Sequence, residues 1–263
     1  MELKVFYRIS DKGRPKPKLD IATKIGCFEN AVKEFGKENF IVIADNCNPE
    51  TIEYFKNNEI KYEETCLGNC GSFQYMCKKI FDTLSDEQYV YLLEDDYIHL
   101  PGSKIKIEEG LMIADYVTLY DHPDKYEILD DSHKTANPLN LKFLRKVSLY
   151  KTESSHWRET NSTTMTFATK VKTLKEDYSV WEKYTTNRNV PFDFAGFLTL
   201  TEKSFSAFKI LYAAKHKLEA KIVLKNWLKQ RNTRLLISAI PASSTHAELA
   251  FLAPVVEWNS IKN

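Results

Sequence analysis

The chain has 263 residues, 43% of them hydrophobic and 28% charged, which is enough for an ample core in one large domain or two small ones. Lys plus Arg number 37 against 36 Asp plus Glu, so no net field draws the chain to nucleic acid, and no nucleic-acid recognition motif is present. No apolar run approaches the length of a membrane span, and the N-terminal MELKVFYRIS lacks the apolar core of a signal peptide. The cysteines Cys27, Cys47, Cys66, Cys70 and Cys77 are odd in number and lack framework spacing, so free thiols and a cytoplasmic setting are expected. Cys66 and Cys70 stand four apart, but no second pair follows at zinc-finger spacing.

In chain order, LKVFYRIS (3–10) reads as a strand and is followed by the Pro/Lys loop DKGRPKPKLD. Residues 21–36 place Ile21, Ile25, Phe28, Val32 and Phe35 at helical spacing and stop at Gly36. NFIVIADNC (39–47) is an apolar run of the kind a buried parallel strand shows. Asn48 and Pro49 open a short helix, IKYEETC is a third strand, and residues 71–84 form a helix entered through Gly68-Asn69-Cys70-Gly71. YVYLL (89–93) is the next strand. This alternation predicts an α/β fold with a mainly parallel sheet between helices. In the second half, DYVTLYDHPDKY (115–126) reads as a strand entering a turn, and residues 144–171 hold two β-prone runs around a polar connection, a hairpin or sheet extension. VPFDFAGFLTLT (190–201) starts a further element. Residues 203–231 read as a helix with Phe205, Phe208, Leu211, Tyr212, Leu218 and Ile222 inward, and SSTHAELAFLAPVVEW as a short helix or loop packing back.

Four sets of polar residues fall at predicted ends of parallel strands, where ligands of such sheets bind. They are Arg8-Ile9-Ser10, Asp45-Asn46, Gly68 to Ser72, and Glu94-Asp95-Asp96 in YVYLLEDDYIHLPG. Three adjacent carboxylates at the end of a buried strand need a positive partner, and a divalent cation supplies one. A Gly-rich helix entry suits a diphosphate, since its free N–H groups point outward. The plainer readings are a solvated acidic turn, a tight turn and an Asx-turn.

Taken together, these features resemble a GT-A-fold glycosyltransferase, whose acidic DXD-type motif closes the fourth strand; Glu94-Asp95-Asp96 is similar to its EDD form. The resemblance covers about residues 1–105 by pattern. It implies a Rossmann-type mixed sheet with a C-terminal helical extension. A nucleotide-sugar half would span 1–105, an acceptor half 106–202 and a closing segment 203–263. It further implies that Asp96 ligates Mn²⁺ or Mg²⁺, that Glu94 and Asp95 face ribose and sugar, and that Asp45 contacts the nucleoside. Asn69, Gly71 and Ser72 would lie near the diphosphate, with Arg8 and Ser10 on the donor side. The long loop DKGRPKPK departs from the family's short one. In many such enzymes a C-terminal histidine completes the metal shell, which points to His246, with Glu248 a lesser candidate and a capping histidine the plainer reading. His122 is a candidate for lining the donor site.

Inverting transfer needs a base for the acceptor hydroxyl. Asp193, set among apolar residues that raise a carboxyl pKa, is the candidate, with Glu176 and Asp177 as rivals. Trp157 and Arg158 resemble acceptor-side groups, a ring face and a hydroxyl or acid clamp; a Trp anchoring the hairpin is the alternative. The 203–231 stretch holds eight Lys/Arg and one Glu, a solvated face or a contact with anionic lipid if the acceptor is lipid-linked. The expected function is therefore metal-dependent transfer, by inversion, of a sugar from a nucleoside-diphosphate sugar to a glycan, polysaccharide or lipid-linked hydroxyl. The alternatives are a sugar nucleotidyltransferase, disfavoured by a single glycine (Gly13) and two prolines after strand one, and a non-catalytic nucleotide- or sugar-binding domain.

Overall fold

β1 (Leu3–Ile9) sends Val5, Tyr7 and Ile9 to one core and Phe6 to the other, the period-two division expected of a strand covered on both faces. In this computed structural model the residues described are 2–13, 15–126, 147–201, 221, 222, 225 and 233–261. β1 pairs in parallel with β2 (Phe40–Asp45) and β4 (Tyr89–Glu94), and β2 with β3 (Tyr62–Thr65). The crossovers are α1 (Lys24–Phe35), α2 (Pro49–Asn57) and α3 (Gly68–Thr83). Thr23 caps α1 by accepting the Gly26 N–H at 2.9 Å, and Gly36 ends it at φ 83°.

After β5 (Tyr97–His99) come α4 (Ser103–Leu111), β6 (Tyr116–Thr118), β7 (Leu149–Lys151), β8 (His156–Thr160), β9 (Phe167–Lys170), α5 (Val171–Thr185), α6 (Asp193–Thr201), β10 (Leu236–Ile240) and β11 (Ser244–His246). Among the described residues the main sheet has nine strands in the order β3-β2-β1-β4-β9-β6-β10-β8-β7. β9 runs antiparallel between β4 and β6, while β10 lies parallel to β6 and antiparallel to β8. The fold is thus a Rossmann-like α/β arrangement: a mixed, mainly parallel sheet flanked by helices, to which all three sequence stretches contribute strands. One core gathers Phe28, Phe35, Phe55, Trp157 and Trp258; the other stacks Phe73, Phe167, Trp181 and Phe197 under α3, α5 and α6.

Several expectations change. The Gly68–Gly71 entry is itself the first turn of α3, so that helix starts three residues earlier. The 115–126 strand is short, and a 3₁₀ turn over Pro123–Lys125 follows. β10 fills a place between β6 and β8 where the sequence suggested no element. The tail, read as a short helix or loop packing back, opens with β11, which pairs antiparallel with β5 in a second, two-stranded sheet, and continues into a 3₁₀ turn over Leu249–Phe251. The basic helix 203–231 lies outside the described residues except at Lys221, Ile222 and Lys225. Among the described residues no helix is long and apolar enough to cross a membrane.

Candidate functional site

The turn from β4 into β5 carries Asp95 and Asp96, and the β5–β11 ladder sets His246 opposite Tyr97. The Ala247 N–H donates to the Asp96 carbonyl at 2.7 Å, locking the two segments together. As a result His246 Nε2 stands 3.2 Å from Asp96 Oδ2, across 150 residues of sequence, and Lys18 Nζ lies 3.6 Å from the same oxygen. His246 Nδ1 accepts the Glu248 N–H at 3.3 Å, which leaves the ring proton on Nε2 toward Asp96, and the ring meets Tyr97 edge-on at 5.5 Å. Burial by itself would raise the Asp96 pKa. The hydrogen bond and charge of His246, with Lys18 and Lys24, outweigh that and hold it well below the carboxylate range. Reciprocally, the His246 pKa is raised despite burial. Glu94 is pushed up to about 7 by burial and by the charge of Asp96, with Arg8 and His246 opposing.

Other acidic candidates are braces. Asp45, fully buried, accepts from Arg8 at 2.8 Å, Thr65 Oγ1 at 3.1 Å, and the Leu67 and Gly68 N–H groups at 2.7 and 3.2 Å. It therefore caps α3 and pins β1 to β2, with no oxygen left over for a nucleoside; this corrects the expected donor contact. Asp95 accepts the Ser10 N–H at 2.7 Å and the Lys24 ammonium at 2.5 Å, so both its oxygens are committed to closing β1 and α1 rather than facing ribose or sugar. Ser72, on the inner face of α3, is fully buried and does not reach a diphosphate from there. Asn69 and Gly71 remain partly exposed in the first turn of that helix. Ser10 offers only its hydroxyl, which donates to the Lys12 carbonyl at 3.4 Å, and Arg8 Nε is buried without a partner.

The loop after β1 is a strap rather than a free loop. The Leu19 N–H donates to the Ala247 carbonyl, and the Leu249 N–H to the Pro17 carbonyl, both at 3.0 Å. Lys16 Nζ pairs with Glu248 Oε2 at 2.7 Å. The lysines that meet the carboxylates, Lys18 and Lys24, escaped the sequence reading. Their signal was the lysine density of DKGRPKPKLDIATK, following a strand whose end faces the acidic cluster.

A second corner forms around Asp193, the first residue of α6. Its Oδ1 accepts the Phe194 N–H at 2.6 Å, an N-terminal helix contact, while burial raises its pKa to about 6 against that bond and the charges of His122 and Lys125. Lys125 donates to Ser162 at 2.7 Å, and burial lowers its pKa to about 8. His122 Nδ1 accepts the Asp124 N–H at 3.1 Å. Aromatic rings join the two corners: His122 lies 5.2 Å from Tyr120 and 5.8 Å from Phe251, and Phe251 lies 6.2 Å from His246. No motif in the sequence advertised Phe251. The rivals to Asp193 are structural. Asp177 accepts from Tyr116 at 2.9 Å and Arg234 at 2.8 Å, and Glu176 pairs with the same arginine at 2.6 Å. Arg158 is held by Asp121 at 2.6 Å and lies over the Tyr126 ring. Trp157 is 0% exposed and donates to Thr152 at 2.9 Å, so it anchors the β7–β8 hairpin and offers no ring face to an acceptor. Its β-strand position faces the α4 side of the core, which corrects the stacking expectation.

Among the described residues no three His, Cys, Asp or Glu side chains converge as a preformed metal cage. A pair does, Asp96 and His246, one oxygen and one imidazole nitrogen. These two are the residues that would hold a divalent cation jointly with substrate phosphates, and the imidazole is a poorer ligand for Mg²⁺ than for Mn²⁺.

No protein-family model and no curated sequence matches the chain. Among solved structures it resembles CMP:2-keto-3-deoxy-manno-octonic acid synthetase complexed with CTP, at 12% identity and TM-score 0.45, covering 92% of each chain. It also resembles a mannose-1-phosphate geranyltransferase from Thermus thermophilus, at 10% identity and TM-score 0.44, over 91% of this chain and 74% of that one. S. aureus TarS matches at 12% identity and TM-score 0.40, over 76% of this chain and 34% of that one. At that distance residue roles come from this chain's own geometry alone.

Proposed function

We propose that this chain is a metal-dependent transferase of sugar-nucleotide chemistry, working at the edge formed by Asp96, His246 and the strap lysines. One observation carries the reading: two segments far apart in sequence are locked by β5–β11 pairing so that His246 and Lys18 converge on a single Asp96 oxygen. Asp96 and His246 would hold Mn²⁺ or Mg²⁺, and the bound ion would neutralise charge on a leaving diphosphate or pyrophosphate.

Two reactions fit, and each has its own observation. Glycosyl transfer from a nucleoside-diphosphate sugar to a glycan or lipid-linked hydroxyl is favoured by Asp193. That carboxyl, half-buried and near pKa 6, takes the acceptor proton in its ionised form, which the charges of His122 and Lys125 favour. Nucleotidyl transfer to a sugar phosphate is favoured by Lys18 and Lys24, which set ammonium groups beside the carboxylates where a triphosphate would lie. The sequence objection to this second reaction counted glycines after β1. A strap pinned by backbone hydrogen bonds presents its lysines without them, so nucleotidyl transfer fits at least as well as glycosyl transfer. Trp157 is buried away from any acceptor, and Arg158 reaches one only by leaving Asp121.

The dividing experiment supplies Mn²⁺ with either nucleoside-diphosphate sugars or nucleoside triphosphates plus sugar 1-phosphates. Release of nucleoside diphosphate assigns glycosyl transfer; release of pyrophosphate assigns nucleotidyl transfer. Metal-dependent nucleotide binding with neither release leaves a binding domain, and Asp96→Ala proteins that bind and react normally would sink the proposal.

A further inference from the structure

Lys18 is held in place by more than its own charge. Its strap forms an isolated antiparallel bridge from Lys18 to Glu248, flanked by the Leu19–Ala247 and Leu249–Pro17 hydrogen bonds at 3.0 Å. The partners on the far side of those bonds directly follow His246, so the strap and the imidazole are parts of one fastened unit. Within it the neighbouring lysines have their own carboxylates: Lys16 takes Glu248 and Lys24 takes Asp95. Lys18 alone of the three points at Asp96, approaching Oδ2 to 3.6 Å from a position where both side chains are 22% exposed.

We propose that Lys18 is a tethered competitor for the metal position: its ammonium occupies the charge environment of Asp96 Oδ2 until a divalent cation displaces it. The inference rests on the reading that Asp96 and His246 hold a metal. A dication bound to Oδ2 would lie within a few ångströms of the ammonium, and like charges at that range repel strongly in a partly desolvated site. The flexible four-carbon stem lets the ammonium swing aside, but the fastened backbone keeps it close. Metal binding to the free protein is therefore weakened by the strap. Substrate phosphate, arriving with the metal, gives the displaced ammonium a new partner, so metal and phosphate bind with positive coupling.

The test is Mn²⁺ binding followed by the loss of the free-ion electron paramagnetic resonance signal, first without nucleotide. Lys18→Gln and Lys18→Met, which remove the charge and leave the backbone bridge, are expected to bind Mn²⁺ about three- to tenfold more tightly than the unaltered protein. Lys18→Arg keeps the charge and is expected to match it. Lys16→Gln, which frees only Glu248, is expected to change affinity less than about twofold, a ratio within the range typical of a single exposed ion pair. Adding inorganic pyrophosphate is expected to tighten Mn²⁺ binding in the unaltered protein more than in Lys18→Gln. Equal Mn²⁺ affinity in the unaltered, Gln and Met proteins overturns the inference alone. Absence of saturable Mn²⁺ binding in all of them overturns the metal reading beneath it.

Discussion

At Asp193 burial raises the carboxyl pKa to about 6, while the Phe194 N–H and the charges of His122 and Lys125 act the other way. The unfolded value is about 3.9. The folded state therefore binds the proton more tightly, and this contribution to stability is complete below about pH 4 and lost as pH rises through about 6. Above that pH the ionised carboxylate is a burden on the fold, so Asp193→Asn should stabilise the protein at about pH 7.5 by about 1–2 kcal/mol, read by chemical denaturation. If glycosyl transfer is the reaction, the same variant loses it on the order of 10²-fold or more, and the parent's rate climbs with pH through about 6. A carboxyl serving only as a helix-end contact would show the stability change without the loss of rate. At the other corner, His246→Ala should weaken Mn²⁺-dependent nucleotide binding by about 10–100-fold, measured calorimetrically, because Asp96 loses both its neighbour and its preset direction. The carboxylates were legible as a group in YVYLLEDDYIHLPG, and the resemblance set Asp96 with His246, but the bracing role of Asp95 was not legible. Which oxygen of three adjacent acids meets a backbone N–H, as at Asp95 with Ser10, depends on strand ends that come together only in space.

At the scale of elements, α5 and α6 pack through Gly196, where an added Cβ would stand 2.7 Å from the Trp181 ring. That indole cannot yield, being stacked on Phe167 at 5.3 Å and met edge-on by Phe197 at 4.8 Å. Gly196→Ala should therefore destabilise the protein by about 1–3 kcal/mol, despite the helix propensity gained, as a lower thermal midpoint would show. The β1-to-β4 half was readable because apolar runs alternate with amphipathic stretches bounded by caps such as Gly36 and Asn48. β10 was not: LISAI is too short to announce itself, and its place is set by parallel pairing with β6 and antiparallel pairing with β8. The start of α3 shifted because Asp45, on a different strand, accepts the N–H groups that let Gly68 begin the helix.

Over the whole molecule, the C-terminal segment folds back across the first half and supplies His246. Its far end is nailed down by Trp258, 2% exposed, whose indole N–H donates to the Ala253 carbonyl at 2.8 Å. Trp258→Ala should cost about 3–5 kcal/mol of stability by denaturant titration and loosen nucleotide binding as well, since β11 depends on that closure. By itself the sequence determined the layered α/β class, the parallel opening half and the presence of an acidic strand end, because each is written in local hydrophobic period, caps and charge spacing. Tertiary structure alone decided that Lys18 joins Asp96 beside His246, and that Asp45 and Asp95 are braces. Pairing between β5 and β11, and the strap's hydrogen bonds to residues 247 and 249, join positions whose separation no local pattern encodes.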